Sequence, residues 1–123
     1  MKGGDEEGQV NCIATDNTSD LVFAGLDNGL IEVIDIKTNS IVKSFKGHER
    51  VANIQTNCTI SSNKFFTVGN DGKLKAWDIR KYECLNEVLA HKAKFGDAGL
   101  ALCGLPSMNI IATGILLLYI RWC

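Results

Sequence analysis

An internal repeat of 43 residues is the feature that most restricts how this chain can fold. Residues 22–36 (VFAGLDNGLIEVIDI) align with residues 65–79 (FFTVGNDGKLKAWDI) at that offset, and VNCIAT from Val10 aligns with VANIQT from Val51 at an offset of 41. A third copy begins at Ala90-His91 and continues to NIIATG, where the similarity ends. Periods of about 20–50 residues are typical of repeat architectures, in which each unit buries its faces against its neighbours.

Each complete unit reads as four short β-strands. In the second unit we predict strands at residues 51–56, 64–68, 73–77 and 84–89. Asn70-Asp71-Gly72, and Asp27-Asn28-Gly29 in the first unit, supply the positive φ angles that tight hairpin turns need. Apolar residues occupy both faces of the third strand, with Leu74 and Ala76 opposite Trp77, so the sheet should lie between two neighbours. No segment has a convincing helical period, and the predicted class is all-β.

Three short motifs add a family resemblance. Gly47-His48, Asp71 and Trp77-Asp78 stand in a unit of the length, about 40–45 residues, that characterises WD repeats. In this combination the chain resembles the WD-repeat β-propeller family from Val10 to Gly114, as one good repeat, one degenerate repeat and half of a third. The resemblance implies antiparallel four-stranded blades of an incomplete propeller, with two blades and part of another.

The resemblance also implies a structural tetrad of His48, Thr67, Asp71 and Trp77. In it the indole would bond to the hydroxyl, the hydroxyl to the imidazole and the imidazole to the carboxylate. A buried indole N–H and a buried carboxylate both require partners, and one chain of hydrogen bonds satisfies them all. Such a network would hold the turn against the preceding loop, so these residues are predicted to stabilise the blade rather than to bind a ligand.

The repeat limits divide the chain into five predicted segments. They are a flexible acidic N-terminus (1–9), a degenerate WD-type repeat (10–46), a second WD repeat (47–89), a partial third repeat (90–114) and an aberrant apolar tail (115–123). In the first repeat Ile34 replaces the tryptophan and Asn28 replaces the turn aspartate, so this blade cannot build the tetrad. The tail, ILLLYIRWC, contains no turn residue and no acid, as expected of a truncated or alternatively spliced product.

The apolar C-terminal region permits two interpretations. Residues 98–120 contain no charged side chain. This uncharged stretch is long enough for a membrane helix. Gly99, Gly104, Pro106 and Asn109 interrupt this stretch in the manner of strands and turns, which favours buried strands of an incomplete blade. Two and a half blades cannot close a ring, which takes about four to eight, so open faces and edges are predicted, with self-association as one way to cover them.

Composition and motifs exclude several classes of function. The net charge is −1 without a long basic run, so nucleic acid is not a favoured partner. The five cysteines are odd in number and have no CxxC spacing, so neither a metal site nor a disulfide framework is predicted. No P-loop, GxSxG or HExxH motif occurs, and we predict no catalytic residue, no cofactor and no enzyme activity. The N-terminal MKGGDEEGQ lacks an apolar segment, which favours an intracellular location, cytoplasmic or nuclear.

The family resemblance implies a non-catalytic scaffold that binds peptides or proteins through blade faces and loops. This functional inference is an analogy, because a fold alone does not determine function. The candidate partner-binding residues are charged or polar residues of loops and turns: Arg50, Asp27, Asn70 and Lys94. Two alternatives stay open, namely a truncated, non-functional or dominant-negative fragment of a longer propeller, and a membrane-tethered module held by residues 98–120.

Overall fold

A computed structural model describes residues 8–16, 19–56, 63–90, 100–105, 110–115 and 120–122. Within these ranges the chain forms β-strands and no helix, which confirms the predicted all-β class. The first eight strands are β1 Val10–Asp16, β2 Leu21–Leu26, β3 Leu30–Asp35, β4 Ser40–Lys46, β5 Val51–Thr56, β6 Lys64–Gly69, β7 Lys73–Asp78 and β8 Cys84–Leu89. The last three are β9 Leu100–Leu105, β10 Ile110–Ile115 and β11 Ile120–Trp122.

The strands form three antiparallel sheets, each made of consecutive strands. Blade 1 has the order β1-β2-β3-β4, blade 2 has β5-β6-β7-β8, and blade 3 has β9-β10-β11. Every pairing joins neighbours in sequence, so short hairpin turns suffice to connect them. The two four-stranded sheets agree with the blade architecture expected from the repeat.

Blades 1 and 2 share their irregularities as well as their strands. The register of β3 and β4 shifts between Val33 and Ile34, and the register of β7 and β8 shifts at the equivalent Ala76 and Trp77. Such bulges twist a strand and redirect its side chains. A conserved bulge position in both units shows that the repeat extends to backbone geometry.

The turns repeat their backbone conformation too. Gly29 and Gly72, 43 positions apart, have φ angles of 91° and 79°, and each closes the turn between the second and third strands of its blade. Asn39 and Tyr82, also 43 apart, have φ angles of 55° and 58° in the turn before the fourth strand. Asparagine tolerates this left-handed region better than tyrosine does, so Tyr82 is held there by its surroundings.

Two apolar clusters join the three blades. The first lies between blades 1 and 2, where the Phe23 and Phe65 ring centroids are 4.7 Å apart. Its buried members come from both sheets: Phe23, Ile31, Val33, Val51, Ile54, Phe65 and Trp77. The second cluster joins blades 2 and 3 and consists of Phe66, Val68, Leu74, Ala90 and Leu102. Blade 2 is therefore buried on both faces, as the apolar residues on both sides of its third strand predict.

The end of blade 3 includes three residues of the segment that was predicted as a tail. β9 and β10 are antiparallel, in agreement with the strand interpretation of residues 98–120. Residues 120–122 then pair with β10, with Ala112 opposite Trp122, although residues 115–123 were predicted to form an aberrant tail. Strand pairing uses backbone groups, so it needs none of the turn or acidic residues whose absence suggested a tail. Among the described residues, no helix has the length and hydrophobicity that crossing a bilayer requires.

Candidate functional site

The four tetrad residues of the sequence analysis lie within hydrogen-bonding distance of one another. Trp77 Nε1–H donates to Thr67 Oγ1 at 2.9 Å, and Thr67 Oγ1 is 2.6 Å from His48 Nε2. His48 Nδ1 lies 3.2 Å and 3.3 Å from the two carboxylate oxygens of Asp71. Because a carboxylate only accepts, His48 Nδ1–H donates to Asp71, and the Thr67 hydroxyl, which accepts the indole N–H, is left to donate to His48 Nε2.

Burial makes this network rigid. His48, Thr67 and Trp77 are buried, while Asp71 keeps a small exposed fraction. Burial alone would raise the pKa of Asp71, but hydrogen bonds from His48 and from the Lys73 backbone N–H outweigh it and hold the pKa below its usual value. The network thus links the segment before β5 to the middle of β6, the turn after β6 and the end of β7.

Close packing around His48 depends on two glycines. A Cβ atom at Gly69 would lie 2.5 Å from His48 Nδ1, and a Cβ atom at Gly47 would lie 2.3 Å from Ile31 Cδ1. Both distances are shorter than any normal carbon contact. A side chain at position 69 would therefore displace the His48 ring, and one at position 47 would displace Ile31 in the apolar cluster between blades 1 and 2, which we call the blade joint. These two glycines position the tetrad, although the sequence analysis did not assign this role to either of them.

The Trp-Asp pair at the end of β7 has two separate tasks. Trp77 packs between Phe45 and Phe65, with ring centroids 5.0 Å and 6.1 Å away. Asp78 points to the following turn, where Oδ1 accepts the backbone N–H groups of Arg80 at 2.7 Å and Lys81 at 3.0 Å. These two bonds, together with the nearby cationic side chains, hold the pKa of Asp78 below its usual value. The strand therefore ends on an indole that fills the core and a carboxylate that caps the turn.

Blade 1 lacks the tetrad but has the same side-chain hydrogen bonds within its turns. Asp35 Oδ1 accepts the Lys37 N–H at 2.9 Å, as Asp78 does in blade 2. Asn28 Oδ1 accepts the Leu30 N–H at 3.1 Å, as Asp71 does with the N–H of Lys73. The amide can replace the carboxylate within the turn because both offer an acceptor oxygen two residues before the donor.

One end of blades 1 and 2 is built from residues 27–29, 47–50 and 70–72, which we call the loop platform. The N–H of Gly47 donates to Gly29 O at 2.9 Å, which joins the connection between the blades to the turn of blade 1. The same bond recurs between Ala90 and Gly72, at 2.9 Å, so each blade fixes the connection that follows it. Backbone bonds of this kind restrict the loops to one conformation.

Side chains tie the loop platform together further. The backbone N–H of Asn70 donates to Arg50 O at 3.1 Å, and its side-chain Nδ2 donates to Glu49 Oε1 at 3.1 Å. Lys46 Nζ donates to Asn28 O at 2.9 Å. Asn70 Oδ1 is buried and accepts no hydrogen bond from any group that the structure describes. Buried acceptors are normally paired, so this oxygen is an unusual feature of the surface.

Three of the four candidate partner-binding residues lie on this platform. Arg50 and Asn70 are half-buried and adjacent, and Asp27 exchanges hydrogen bonds with Gln9, whose N–H donates to Asp27 Oδ1 at 2.9 Å. Lys94 falls outside the described residues. Glu49 belongs to the same surface but was missed, because the sequence shows only an ordinary charged loop residue next to His48.

A lysine contact was also not anticipated. Lys75 Nζ donates to Gly47 O at 2.5 Å and lies 5.7 Å from the centre of the Trp77 ring. The sequence analysis did not single out Lys75, since a charged residue on an alternating strand suggests a solvated side chain. In the structure its ammonium group stabilises the connection between β4 and β5.

No cluster of three or more potential metal-ligating side chains occurs among the residues that the structure describes. Cys12 and Cys84 are free thiols. Burial raises the pKa of the Cys12 thiol to about 11, only partly offset by the Gly25 backbone. A thiol with this pKa is a poor nucleophile near neutral pH.

Comparison with known proteins was made for both sequence and fold. No family model matches the chain. A striatin homolog of Dictyostelium discoideum is 23% identical over 108 residues, which are 86% of this chain and 13% of that protein. WD repeat-containing protein 91 of Xenopus tropicalis is 29% identical over 72 residues, and myosin heavy chain kinase C of Dictyostelium discoideum is 34% identical over 71 residues. These two matches cover 58% of this chain and 10% and 8% of the respective proteins.

Among solved structures, a WD40 propeller chain in the mitotic checkpoint complex has a TM-score of 0.70 and 21% sequence identity. The match covers 85% of this chain and 32% of that one. At this identity the likeness shows the fold, which is that of propeller blades. The chain spans about a tenth of the length of the curated relatives that it matches.

Proposed function

We propose that this chain, whose relatives and fold are those of WD-repeat propellers, is a non-catalytic scaffold that binds a peptide or protein through its loop platform. The observation that carries the proposal is the set of hydrogen bonds that order this surface. Backbone hydrogen bonds fix residues 27–29 to the connection after blade 1, and the tetrad fixes the same connection to blade 2. A surface that is already ordered loses little conformational entropy when a partner binds.

The side chains of the platform suit a polar or extended peptide. Asp27 and Glu49 contribute carboxylates, each of which already accepts one hydrogen bond within the platform, and Arg50 contributes a cationic side chain to the same loop as Glu49. Asn70 adds a buried carbonyl oxygen that accepts no hydrogen bond from the described residues, and a peptide donor that reaches it would satisfy it. Acceptors and a planar donor on one rigid surface can position a peptide without forming a covalent bond to it.

The reactive groups near the platform are engaged in structural roles. The two nitrogens of His48 face Thr67 and Asp71, so the imidazole has no position left for proton transfer to a substrate. Cys12 has a raised pKa and lies within the blade joint. We therefore assign no catalytic step to His48 or Cys12. The free thiols Cys12 and Cys84 are in keeping with a reducing, intracellular location, cytoplasmic or nuclear.

Selection from a random peptide library displayed on phage tests this proposal directly. The dissociation constant of a selected peptide would be measured by fluorescence anisotropy for the wild-type chain and for the triple variant Asp27→Ala, Arg50→Ala, Asn70→Ala. We expect at least a tenfold weaker affinity for the variant, because three polar contacts are removed together. The control is the double variant Lys37→Ala, Arg80→Ala, whose exposed side chains lie in the turns at the opposite end of the blades.

The control should bind within about twofold of wild type, since its positions are remote from the platform. Equal loss of affinity in both variants would place binding elsewhere and overturn the proposal. Failure to select any peptide from a library that yields ligands for an unrelated propeller would also contradict it. Circular dichroism of each variant separates lost binding from lost folding.

A fragment that competes with a longer propeller is a second candidate function. It is favoured by the 32% coverage of the solved propeller chain and by the exposed apolar residues of blade 1, Val10 and Ile13. Such a competitor would bind the same peptides as a longer propeller that contains this sequence, and would displace them from it. Peptides that bind this chain but not the longer protein would exclude this role.

A further inference from the structure

The face of blade 1 that points away from blade 2 carries apolar side chains that remain accessible. We call it the outer face, and its defining residues are Val10, Ile13, Val22 and Ile34. Val10 is 51% exposed and Ile13 is 64% exposed, while the other two are half-buried. Isolated exposed aliphatic residues are common, but a group on one sheet face indicates an interaction surface.

The equivalent face of blade 2 shows how such a face packs. The equivalent residues of blade 2 are Val51, Ile54, Phe65 and Trp77, and all four belong to the apolar joint with blade 1. Strand register confirms the equivalence, since Val22 is opposite Ile34 as Phe65 is opposite Trp77. Yet Val51 is 0% exposed and Ile54 is 1% exposed, against 51% and 64% for Val10 and Ile13. The same positions are covered in one blade and open in the other.

Polar contacts at the joint follow the same pattern. Thr56 Oγ1 donates to Thr15 O, and Asn11 Nδ2 donates to Val51 O at 3.1 Å, so both bonds cross from one blade to the next. Thr15 is the blade 1 counterpart of Thr56 and is exposed on the outer face. By this equivalence, the Thr15 hydroxyl lies where it could donate to the backbone of a further blade, as the Thr56 hydroxyl does to blade 1.

The face of blade 1 that packs against blade 2 also has an equivalent in blade 2. Blade 1 receives blade 2 on Phe23, Ile31 and Val33. The equivalent residues of blade 2, Phe66, Leu74 and Ala76, pack in the cluster that contains Leu102 of blade 3. Blades 1 and 2 thus each have two faces of different composition. We call the face formed by Val51, Ile54, Phe65 and Trp77 and their blade 1 equivalents the inserting face, and the face formed by Phe23, Ile31 and Val33 and their blade 2 equivalents the receiving face. Within the described residues, the inserting face of blade 1 is the one that no blade covers.

We propose that the outer face of blade 1 binds blade 3 of a second copy of this chain, in a head-to-tail arrangement. Blade 3 is the available source of a receiving face, because its strands LALCGL and IIATGI are apolar at every position except Thr113, which is opposite Leu102 and so lies on the face towards blade 2. The arrangement is head-to-tail because the joint inside the chain pairs unlike faces. Repetition of a head-to-tail contact gives a ring when the rotation closes and a filament when it does not.

The oligomeric state of the full chain tests the proposal. Analytical ultracentrifugation over a range of concentrations should show reversible self-association of the wild-type chain. Ile13→Asp introduces a charge on the outer face and should raise the dissociation constant at least tenfold. Val10→Asp should act in the same direction. The matched control is Leu85→Asp, which places the same charge on an exposed leucine of the outermost strand of blade 2.

Leu85→Asp should change the dissociation constant by less than about twofold, since Leu85 lies outside the outer face. A wild-type chain that is monomeric at every concentration would overturn the proposal. So would an equal effect of Leu85→Asp, which would point to pairing between outer strands instead. Because Ile13 and Leu85 are exposed, neither charge should unfold a blade, and circular dichroism of both variants verifies this.

A mixing experiment distinguishes the head-to-tail contact from a symmetric contact between two outer faces. Fluorescently labelled Ile13→Asp protein still possesses blade 3, so a head-to-tail contact predicts that wild-type protein captures it and that it ends the assembly. A symmetric contact predicts that the labelled variant stays monomeric in the same mixture. Sedimentation of the label with wild-type protein supports our proposal, and its absence rejects it.

Discussion

The indole nitrogen of Trp77 and the hydroxyl oxygen of Thr67 lie 2.9 Å apart, and both side chains are buried. Since the hydroxyl is also 2.6 Å from His48 Nε2, it is the central member of a chain of bonds. Loss of this one oxygen would leave a buried N–H donor without an acceptor and a buried imidazole nitrogen without a donor. Blade 2 should therefore depend on Thr67 more than its small size suggests.

Replacement of Thr67 by valine tests this dependence, because valine has nearly the same shape and no hydroxyl. We expect the free energy of unfolding to fall by about 1–3 kcal/mol, the usual penalty for a buried polar group left unpaired. Urea denaturation followed by circular dichroism measures it. Thr38→Val is the control, since Thr38 is exposed in the turn before β4 and should change stability by less than about 0.5 kcal/mol. Equal stability of the two variants would show that the network contributes little.

The hydrogen-bonded carboxylate of the tetrad predicts a specific pH dependence. The pKa of Asp71 lies below its ordinary value of 3.8 in the folded protein, because hydrogen bonds from His48 and the Lys73 backbone outweigh the effect of burial. A lowered carboxyl pKa stabilises the fold above the unfolded-state pKa, and this contribution disappears as the pH falls through the folded-state pKa. Wild type should therefore lose stability on acidification more steeply than Asp71→Asn.

Thermal unfolding of the two proteins between neutral pH and about pH 3 measures the difference in slope. Asp71→Asn should be less stable at neutral pH, and the two curves should approach each other in acid because protonated Asp71 resembles the amide. Parallel curves over the whole range would mean that Asp71 does not titrate differently in the folded and unfolded states. Asp20→Asn is a suitable control, as its carboxylate pairs with Lys37 at an exposed site.

Much of this architecture is predictable from the sequence, and the limits of that prediction have physical causes. The period of 43 residues and the turns at Gly29 and Gly72 indicate four strands per unit, because tight turns need residues that accept positive φ. The tetrad residues were named from the family pattern, and the structure places them in contact. Strand β11 was not foreseen, since residues 120–122 pair through backbone groups that no sequence motif marks.

Packing between blades was still harder to predict. Gly25 must be small because a Cβ atom there would lie 2.4 Å from Val51 Cγ1, a neighbour contributed by the next blade. Nothing in the sequence LVFAGL shows that this glycine is required by a close contact, since glycine within a strand can also be merely destabilising. The bond from Lys75 to Gly47 likewise joins residues 28 positions apart. Contacts of this kind depend on how sheets stack, which the local pattern of residues does not encode.

Glycine 29 provides a test of the connection between blades 1 and 2. Its φ of 91° is unfavourable for any side chain, and a Cβ atom would lie 1.9 Å from His48 O. Gly29→Ala should lower the free energy of unfolding by at least about 2 kcal/mol, through backbone strain together with displacement of the loop. Thr38→Val is again the control, since Thr38 is exposed in the turn before β4, away from this connection. If both variants unfold at the same urea concentration, residues 47–50 are less firmly held than the structure indicates.

Cys12 and Cys84 should differ in chemical reactivity. Burial raises the pKa of Cys12 to about 11, two units above its ordinary value of 9.0, whereas Cys84 is exposed on the outermost strand of blade 2. Because the thiolate is the reacting species, two units correspond to about a hundredfold smaller reactive fraction near neutral pH, and burial slows access further. Iodoacetamide should therefore alkylate Cys84 at least about 100 times faster than Cys12.

Mass spectrometry of peptides from timed reactions gives both rates in one sample, so each thiol serves as the other's reference. In denaturant the two rates should become similar, which would show that the fold protects Cys12. Phe23→Ala should accelerate Cys12 specifically, because it opens the apolar joint in which Cys12 packs, without altering the surroundings of Cys84. Rapid alkylation of Cys12 in the native protein would instead mean that blades 1 and 2 separate often, and that their joint is weaker than its buried side chains imply.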